Sequence, residues 1–274
     1  MRNNLKNLLL VPALMAIASA FVVSCSDDDG GWHGNKFDRL TAGSVIYADD
    51  GKTPIAITVY QSGGHGYAIA LTDATPNNTS PSVTAHGYYI DGERLKFYWS
   101  DVLRTNCTRD NSTELPLAEA LASTADDAKT WTNFLADGSC GHVHYAAQAA
   151  RNYNVAIPSD APEGTQWVLP SIGMWAEFYN QSHTGHTISN PVENIWTSGD
   201  IEEFDKISDF WTGKCPSFTM MKVGEYSSSS ECRLTYYYCT VFESDSNPEY
   251  TTFNFGIASR QKASTDLVRP FLVF

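Results

Sequence analysis

Residues 167–175 read Trp-Val-Leu-Pro-Ser-Ile-Gly-Met-Trp, a short apolar strand followed at once by the start of a helix. Pro170 cannot donate to a sheet ladder and disfavours helix in the residue before it, so the strand is expected to end there. Ser171 can accept a hydrogen bond from the first unpaired N–H groups of the next turn, as a helix N-cap does. Ile172, Trp175 and Tyr179 then recur at helical spacing and form one apolar stripe. No residue here is a plausible nucleophile or metal ligand, so we expect the stretch to set the fold.

The composition predicts a globular chain with a substantial core. Of the 274 residues, 42% are hydrophobic and 12% are aromatic, which suffices for one domain or two tightly joined halves. The formal net charge is −13, and no basic stripe or basic amphipathic helix is visible. Because binding of nucleic acid needs clustered Lys and Arg against the phosphates, we expect no nucleic-acid partner.

Residues 1–24 have the pattern of a lipoprotein signal peptide. Arg2 and Lys6 precede an apolar run from residue 8 to residue 23, and Val-Val-Ser-Cys at 22–25 matches a lipobox. A transmembrane helix is the alternative, but the apolar run is short for a bilayer. We therefore predict cleavage after residue 24 and a lipid on Cys25 that anchors the chain to a membrane.

An acidic, Gly-rich tether is expected at 25–40. Ser26 and the run Asp27, Asp28, Asp29 follow the lipobox directly. This arrangement resembles the export signal that carries Bacteroidetes-type lipoproteins to the outer face of the outer membrane. The alternatives are a solvated acidic spacer and a calcium site, which consecutive carboxylates form only within a shaped loop. We predict an outer-membrane lipoprotein that faces the cell exterior.

The cysteines that remain after the lipidated one are odd in number. In an oxidising compartment this predicts two disulfides and one thiol. The predicted bridges are Cys107–Cys140 and Cys215–Cys232. Cys239 lies in an alternating strand pattern and is predicted to be the buried thiol.

The region 41–140 is predicted to be rich in strands, with one helix. Strands are expected at 42–47, 55–60 and 67–71, and the last two form an antiparallel hairpin. The aromatic run 88–99 carries Asp-Gly at its middle, which is a strong hairpin signal. Residues 116–135 have apolar positions at helical spacing and predict one helix.

The region 141–274 mixes helical and strand patterns. A helix is expected at 142–153, strands are expected at 236–242 and 250–256, and a hydrophobic closing strand is expected at 267–274. Residues 181–225 have little periodicity and many turn formers, so we expect a long irregular segment.

Three motifs occur in a characteristic order. They are Trp-Val-Leu-Pro-Ser at 167–171, Tyr-Ser-Ser-Ser-Ser-Glu at 226–231 and Val-Arg-Pro at 268–270. In this order the chain resembles the Lcl C-terminal domain, also called the major-paralogous or FISUMP domain, which is abundant in Bacteroidetes lipoproteins. Two residues depart from the family pattern: Met174 replaces a Glu that would complete a capping box, and Ser227 replaces a Trp.

The resemblance implies an α+β fold similar to C-type lectins and formylglycine-generating factors, with a twisted antiparallel sheet, flanking helices and long irregular loops. It also implies a non-catalytic binding module at 141–274, without a cofactor. We therefore predict a surface lipoprotein for adhesion, whose partners are the membrane, through the Cys25 lipid, and a glycan or a surface or matrix protein. The alternatives are an accessory subunit of a fimbria-like assembly, and an oxidase of the formylglycine-generating type that would use Cys232 and Cys239.

Two groups of residues have side chains of the kind that bind metals. Cys140, His142 and His144 alternate along the chain, but a disulfide at Cys140 would occupy one ligand, and a helix start would separate the others. His183 and His186 would meet on a helical turn, but a glycine between them favours a loop. We predict no metal site.

A ligand is expected to contact the irregular segment 181–225, because recognition is usually carried by loops on a rigid base. Trp and Tyr side chains offer flat apolar faces to sugar rings and to protein hot spots. The predicted ligand contacts are His183, His186, Trp196, Trp211 and Tyr226. The alternative is that Trp196 and Trp211 only pack the segment onto the core.

Overall fold

The computed structural model describes residues 35–75, 78–79, 88–91, 94–102, 115–182, 196–221, 224–233, 236–244 and 252–274. Of these, the backbone alone is described at 88–91, 94–95, 196–206, 233, 243–244, 252–256 and 258. The predicted signal peptide, Cys25 and the acidic run Asp27–Asp29 lie outside the described residues.

The described residues alternate between strands and short helices. A 3₁₀ helix spans Lys36–Arg39. The α-helices are α1 (Leu117–Leu121), α2 (Ala125–Ala136), α3 (Tyr145–Arg151), α4 (Ile172–Ser182) and α5 (Ile201–Lys214). The strands are β1 (Val45–Tyr47), β2 (Pro54–Ser62), β3 (His65–Ala70), β4 (Tyr88–Asp91), β5 (Arg94–Tyr98), β6 (Gln166–Val168), β7 (Trp196–Asp200), β8 (Gly224–Arg233), β9 (Tyr236–Ser244), β10 (Thr252–Gln261), β11 (Thr265–Asp266) and β12 (Phe271–Val273).

The central sheet has the strand order β1-β2-β3-β12-β6, and all its pairs are antiparallel. The last strand of the chain inserts between β3 and β6, with Phe271 opposite both Ile69 and Val168. Alternate residues enter two separate core clusters: Ile57 and Ile69 belong to one, and Ala56 belongs to the other. The sheet is therefore covered on both faces, which explains the continuous apolar runs of its strands.

Two smaller antiparallel sheets complete the fold. One has the order β7-β10-β9-β8, and the other has the order β11-β5-β4. The predicted hairpins 55–71, 88–99 and 236–256 are confirmed as β2–β3, β4–β5 and β9–β10. The chain is thus a mixed α+β protein with antiparallel sheets and few helices.

The stretch 167–175 has the predicted local structure. β6 ends at Val168, and the Ser171 hydroxyl accepts a hydrogen bond from the Met174 N–H at 3.3 Å, which confirms the N-cap of α4. The same stretch bonds to β8: the Ile172 N–H donates to the Ser230 hydroxyl at 3.0 Å, and the Ser229 N–H donates to the Pro170 carbonyl at 2.8 Å. The strand end and the helix start are therefore held against the serine-rich strand.

Trp175 is the centre of the larger core cluster. Its ring lies 5.2 Å from Phe271, 5.6 Å from Tyr226 and 6.3 Å from Phe242. These partners belong to β12, β8 and β9, so one side chain of α4 packs against strands of two sheets. Aromatic pairs at such distances add to the burial of apolar area.

The arginine of the Val-Arg-Pro motif is buried in a hydrogen-bonded site. Arg269 Nε donates to Asp73 Oδ1 at 2.6 Å, and its terminal nitrogens donate to the carbonyls of Ala70 and Thr219. The Tyr226 hydroxyl donates to Asp73 Oδ2 at 3.2 Å. A buried guanidinium needs partners of this kind, so the motif joins the end of β3 to the segment before β12.

Two predicted elements are wrong. The helix expected at 116–135 is two helices, because Thr124 starts α2 with a capping box to Asp127. The irregular segment expected at 181–225 contains β7 and α5. The apolar positions of α5, from Ile201 to Trp211, recur at spacings of three and four. Gly34–Phe274 is one compact unit, and the boundary expected at residue 140 between two regions stays a prediction. Within the described chain, no helix is long and apolar enough to cross a membrane.

Candidate functional site

Two of the predicted ligand contacts are core residues. Trp211 is fully buried in α5, and its ring stacks on Phe178 with centroids 4.7 Å apart. Tyr226 is fully buried between Trp175 and Phe242. Neither ring has a face open to a ligand, so these two assignments are wrong: α4 and β9 cover them.

The other predicted contacts are not described at the level of side chains. Trp196 begins β7 and pairs with Gly256 through the backbone, but its side chain is not described. His183 and His186 lie outside the described residues. Their role in binding stays a prediction.

The cysteines depart in part from the predicted pattern. Cys215 is a buried free thiol, so the predicted Cys215–Cys232 bridge is wrong. Cys140 is disulfide-bonded, but Cys107 lies outside the described residues, and that pairing stays a prediction. Cys239 is a buried thiol, as expected.

Cys232 and Cys239 do not form a reactive pair. Both are fully buried, and they belong to different core clusters. A thiol without access to a substrate cannot serve the oxidase alternative.

The fold places Cys140 beside His144, and it places His142 beside Asp101. Cys140 Sγ lies 3.1 Å from His144 Nε2, whereas His142 Nδ1 lies 3.7 Å from Asp101. His144 is buried, and its Nδ1 lies 2.9 Å from the Trp99 carbonyl. Burial lowers the pKa of His144 to about 4, against the opposing effect of that hydrogen bond. In the described part of the chain, no three His, Cys, Asp or Glu side chains are placed to hold a metal ion.

An open cleft of about 520 Å³ lies between the β2–β3 hairpin and helices α2 and α4. We call it the tyrosine cleft. Its walls are defined by Tyr60, His65, Tyr67, Asp126 and Glu177, and its lining also includes Ser62, Gly66, Leu121, Ser123, Thr124, Ala125, Gly173, Val273 and Phe274. The volume lies in the range of small-molecule sites.

The hairpin provides an aromatic wall. A register shift between Thr58 and Tyr60 interrupts the pairing of β2 with β3, and such bulges re-aim side chains. Beyond it, Tyr60 pairs with Tyr67, and the two rings stack with centroids 5.6 Å apart and an interplanar angle of 26°. Tyr67 is 8% exposed and Tyr60 is 43% exposed. The buried ring therefore supports a ring that is open to solvent.

The helices provide an acidic wall. Glu177 on α4 is half-buried and accepts a hydrogen bond from the Gln181 side chain at 2.6 Å. Burial raises the pKa of Tyr67 above its usual value, and the nearby charge of Glu177 raises that pKa further. Asp126 is exposed in the first turn of α2, where a negative charge is favourable.

The hydroxyl groups beside the acidic wall already have structural roles. The Ser123 hydroxyl donates to the Ala120 carbonyl, and the Thr124 hydroxyl donates to Asp127 at 2.9 Å. The Asp127 carboxylate that accepts from the Thr124 hydroxyl also accepts from the Thr124 N–H, so this pair forms the capping box of α2.

Two glycines allow the walls to approach each other. A Cβ on Gly66 would lie 2.5 Å from the Tyr60 carbonyl oxygen and 2.8 Å from the Phe274 ring. A Cβ on Gly173 would lie 2.5 Å from the Leu121 carbonyl oxygen. Any other residue at either position would force the backbone of the walls apart.

The sequence held only weak signals for this cleft. Tyr60 and Tyr67 flank the Gly63-Gly64 turn, and a two-residue turn places them near each other across the hairpin. Asp126 and Glu177 are distant in sequence from the hairpin and from each other, so no local pattern connects them.

No family model, curated protein sequence or solved structure matches this chain. The resemblance of the three motifs to the Lcl C-terminal domain therefore stays a prediction.

Proposed function

We propose that this protein is a non-catalytic binding protein of the cell surface that holds a neutral glycan in the tyrosine cleft. The observation that carries the proposal is the exposed Tyr60 ring, which stacks on Tyr67 and lines the same cleft as the carboxylates of Asp126 and Glu177.

The two walls suit the two kinds of surface on a sugar ring. The face of a pyranose carries C–H groups, which pack against an aromatic ring, and its edge carries hydroxyl groups. Carboxylates accept hydrogen bonds from hydroxyl groups and form the stronger, charge-assisted class of such bonds. A ring stacked on Tyr60 would present its edge toward the acidic wall.

The charge of the site favours neutral over acidic glycans. The described residues that line the cleft include two carboxylates and neither Lys nor Arg. The formal net charge of the whole chain is −13. A uronate or sialate carboxylate would meet repulsion without a paired cation, which is costly at a partly desolvated site.

The proposal includes the finer fold and the location. A C-type-lectin-like arrangement is supported by the order of the three motifs and by antiparallel sheets with α4 packed across them. A lipid on Cys25 and the acidic run after it would place the cleft outside the cell, where glycans are accessible. A subunit of a fimbria-like assembly remains the alternative, and it would require a protein partner instead of a glycan.

The test is a glycan-array screen followed by affinity measurements on Tyr60→Ala. We expect the parent to bind neutral glycans. Removal of the Tyr60 ring should lower the affinity at least about tenfold, which is about 1.4 kcal/mol of binding free energy. Tyr47→Ala is the matched control, because Tyr47 is 41% exposed on β1 and does not line the cleft. Equal affinity of the two variants, a preference for acidic glycans, or hydrolysis of the bound glycan would overturn the proposal.

A further inference from the structure

We infer that a second cavity, separate from the tyrosine cleft, binds a small organic ammonium group. This cavity has a volume of about 270 Å³ and lies between the α1–α2 pair and β8. We call it the serine cavity, and its polar and aromatic lining includes Glu119, Asp127, Trp131, Ser229, Ser230 and Glu231. The turn at Ser123 separates it from the tyrosine cleft and lines both.

A buried hydroxyl in this cavity has no partner in the described chain. Ser229 is fully buried, and its Oγ makes no hydrogen bond to a described residue. Its backbone N–H donates to Pro170, so the strand holds the residue firmly in place. Buried hydroxyl groups are nearly always satisfied, and an orphaned one that lines a cavity indicates a polar occupant.

The charge of the cavity selects the occupant. Glu231 is compensated by the ammonium of Lys262, which is buried beneath it. Glu119 and Asp127 contribute two further carboxylates, and the described lining contains neither Lys nor Arg. Asp127 uses Oδ2 to cap α2 through Thr124, so that oxygen is held in a fixed position. The cavity therefore repels anions and favours a cation.

The cation is organic, because the side chains do not converge as metal ligands do. Among the described residues, no three carboxylates, histidines or cysteines are placed to hold a metal ion. Trp131 lies one helical turn after Asp127 and also lines the cavity, which provides an aromatic surface next to a carboxylate. An alkyl ammonium can pack its carbon chain on the indole and donate to the carboxylates. A polar group at the far end of such a molecule would reach Ser229.

The size of the cavity limits the ligand to a few heavy atoms. Sites for drug-sized ligands begin at about 300 Å³, so 270 Å³ suits a molecule such as a short amino alcohol. A suitable probe is 4-aminobutan-1-ol, which carries an ammonium and a hydroxyl group. Butane-1,4-diol is its uncharged control, and 4-hydroxybutyrate is its anionic control.

The test measures binding of these three probes to the purified chain by NMR, using the indole N–H signal of Trp131, assigned with Trp131→Phe. We expect the amino alcohol to shift this signal and the two controls to leave it unchanged. Glu119→Gln should weaken binding about tenfold, because it removes a charge-assisted contact at an exposed position. Ser229→Ala should weaken it about fivefold, the loss of one neutral hydrogen bond.

Ser229→Ala also controls for folding. Since the Ser229 hydroxyl has no described partner, its removal should leave the melting temperature of the unliganded chain unchanged or raised. Equal binding of the amino alcohol and the diol would overturn the inference. Unchanged affinity in both Glu119→Gln and Ser229→Ala would also overturn it, because it would mean that the Ser229 hydroxyl is bonded only to water. Tyr60→Ala should leave this binding intact, so failure here is distinguishable from failure of the glycan proposal.

Discussion

Replacement of Gly173 by alanine tests the contact on which the fold and the tyrosine cleft both depend. Alanine stabilises a helix interior by about 0.5–1 kcal/mol relative to glycine, and at Gly173, in the first turn of α4, this benefit is at most of that size. At Gly173 the added Cβ would lie 2.5 Å from the Leu121 carbonyl oxygen and 2.6 Å from the Ser123 carbonyl oxygen. Both contacts are with backbone, which cannot turn aside as a side chain can. We expect α4 to shift from the α1–α2 turn, at a net cost of about 1–3 kcal/mol.

The matched control is Gly213→Ala in α5, where the added Cβ meets no atom within 4 Å. That variant should be neutral or more stable by up to about 1 kcal/mol. Urea unfolding of the two variants and the parent gives the free energies of unfolding, and equal m-values would show that the unfolded states are comparable. If Gly173→Ala were as stable as Gly213→Ala, the close approach of α4 to residues 121–123 would be wrong.

Two further predictions concern acid stability and export. Burial lowers the pKa of His144 to about 4, so the folded state binds fewer protons than the unfolded state between about pH 4 and 6.5. About 3 kcal/mol of the free energy of unfolding should therefore be lost as the pH falls from 6.5 to 4. Burial raises the pKa of Asp266 to about 6, so this residue stabilises the folded state as the pH falls from 6 to 3.8, opposite to His144. His144→Asn leaves Asp266 in place, so a smaller loss of stability with falling pH in this variant isolates the effect of the histidine. If the stability of the variant had the same pH dependence as that of the parent, the lowered pKa of His144 would be contradicted. Cys25→Ala should release the protein from membranes. Replacement of Asp27–Asp29 by alanine should leave the protein lipidated but protected from external protease. If protease still cleaved this second variant on intact cells, the acidic run would not be the sorting signal.

The elements predicted correctly depend on residues that are close in sequence. The cap at Ser171, the stop at Pro170 and the hairpin turns are contacts within a few positions, so the local sequence contains both partners. The capping box of Thr124 and Asp127 was also present as a local signal, and it explains why the helix expected at 116–135 divides. The sequence does not predict α5, because many turn-forming residues precede it and its helical spacing begins only at Ile201.

The sequence alone determined where β6 stops, where α4 starts and where the hairpins turn, because hydrogen bonds between near neighbours decide those features. It also contained the three ordered motifs, but not the buried roles of their members, such as the pairing of Arg269 with Asp73. Only the tertiary structure decided which aromatic side chains are covered and which are open. Tyr226 and Tyr60 are the same residue type in strands, yet Trp175 and Phe242 cover the first, and a bulge turns the second toward solvent. Exposure depends on which distant element packs against a side chain, and burial of apolar area is a property of the whole assembled chain.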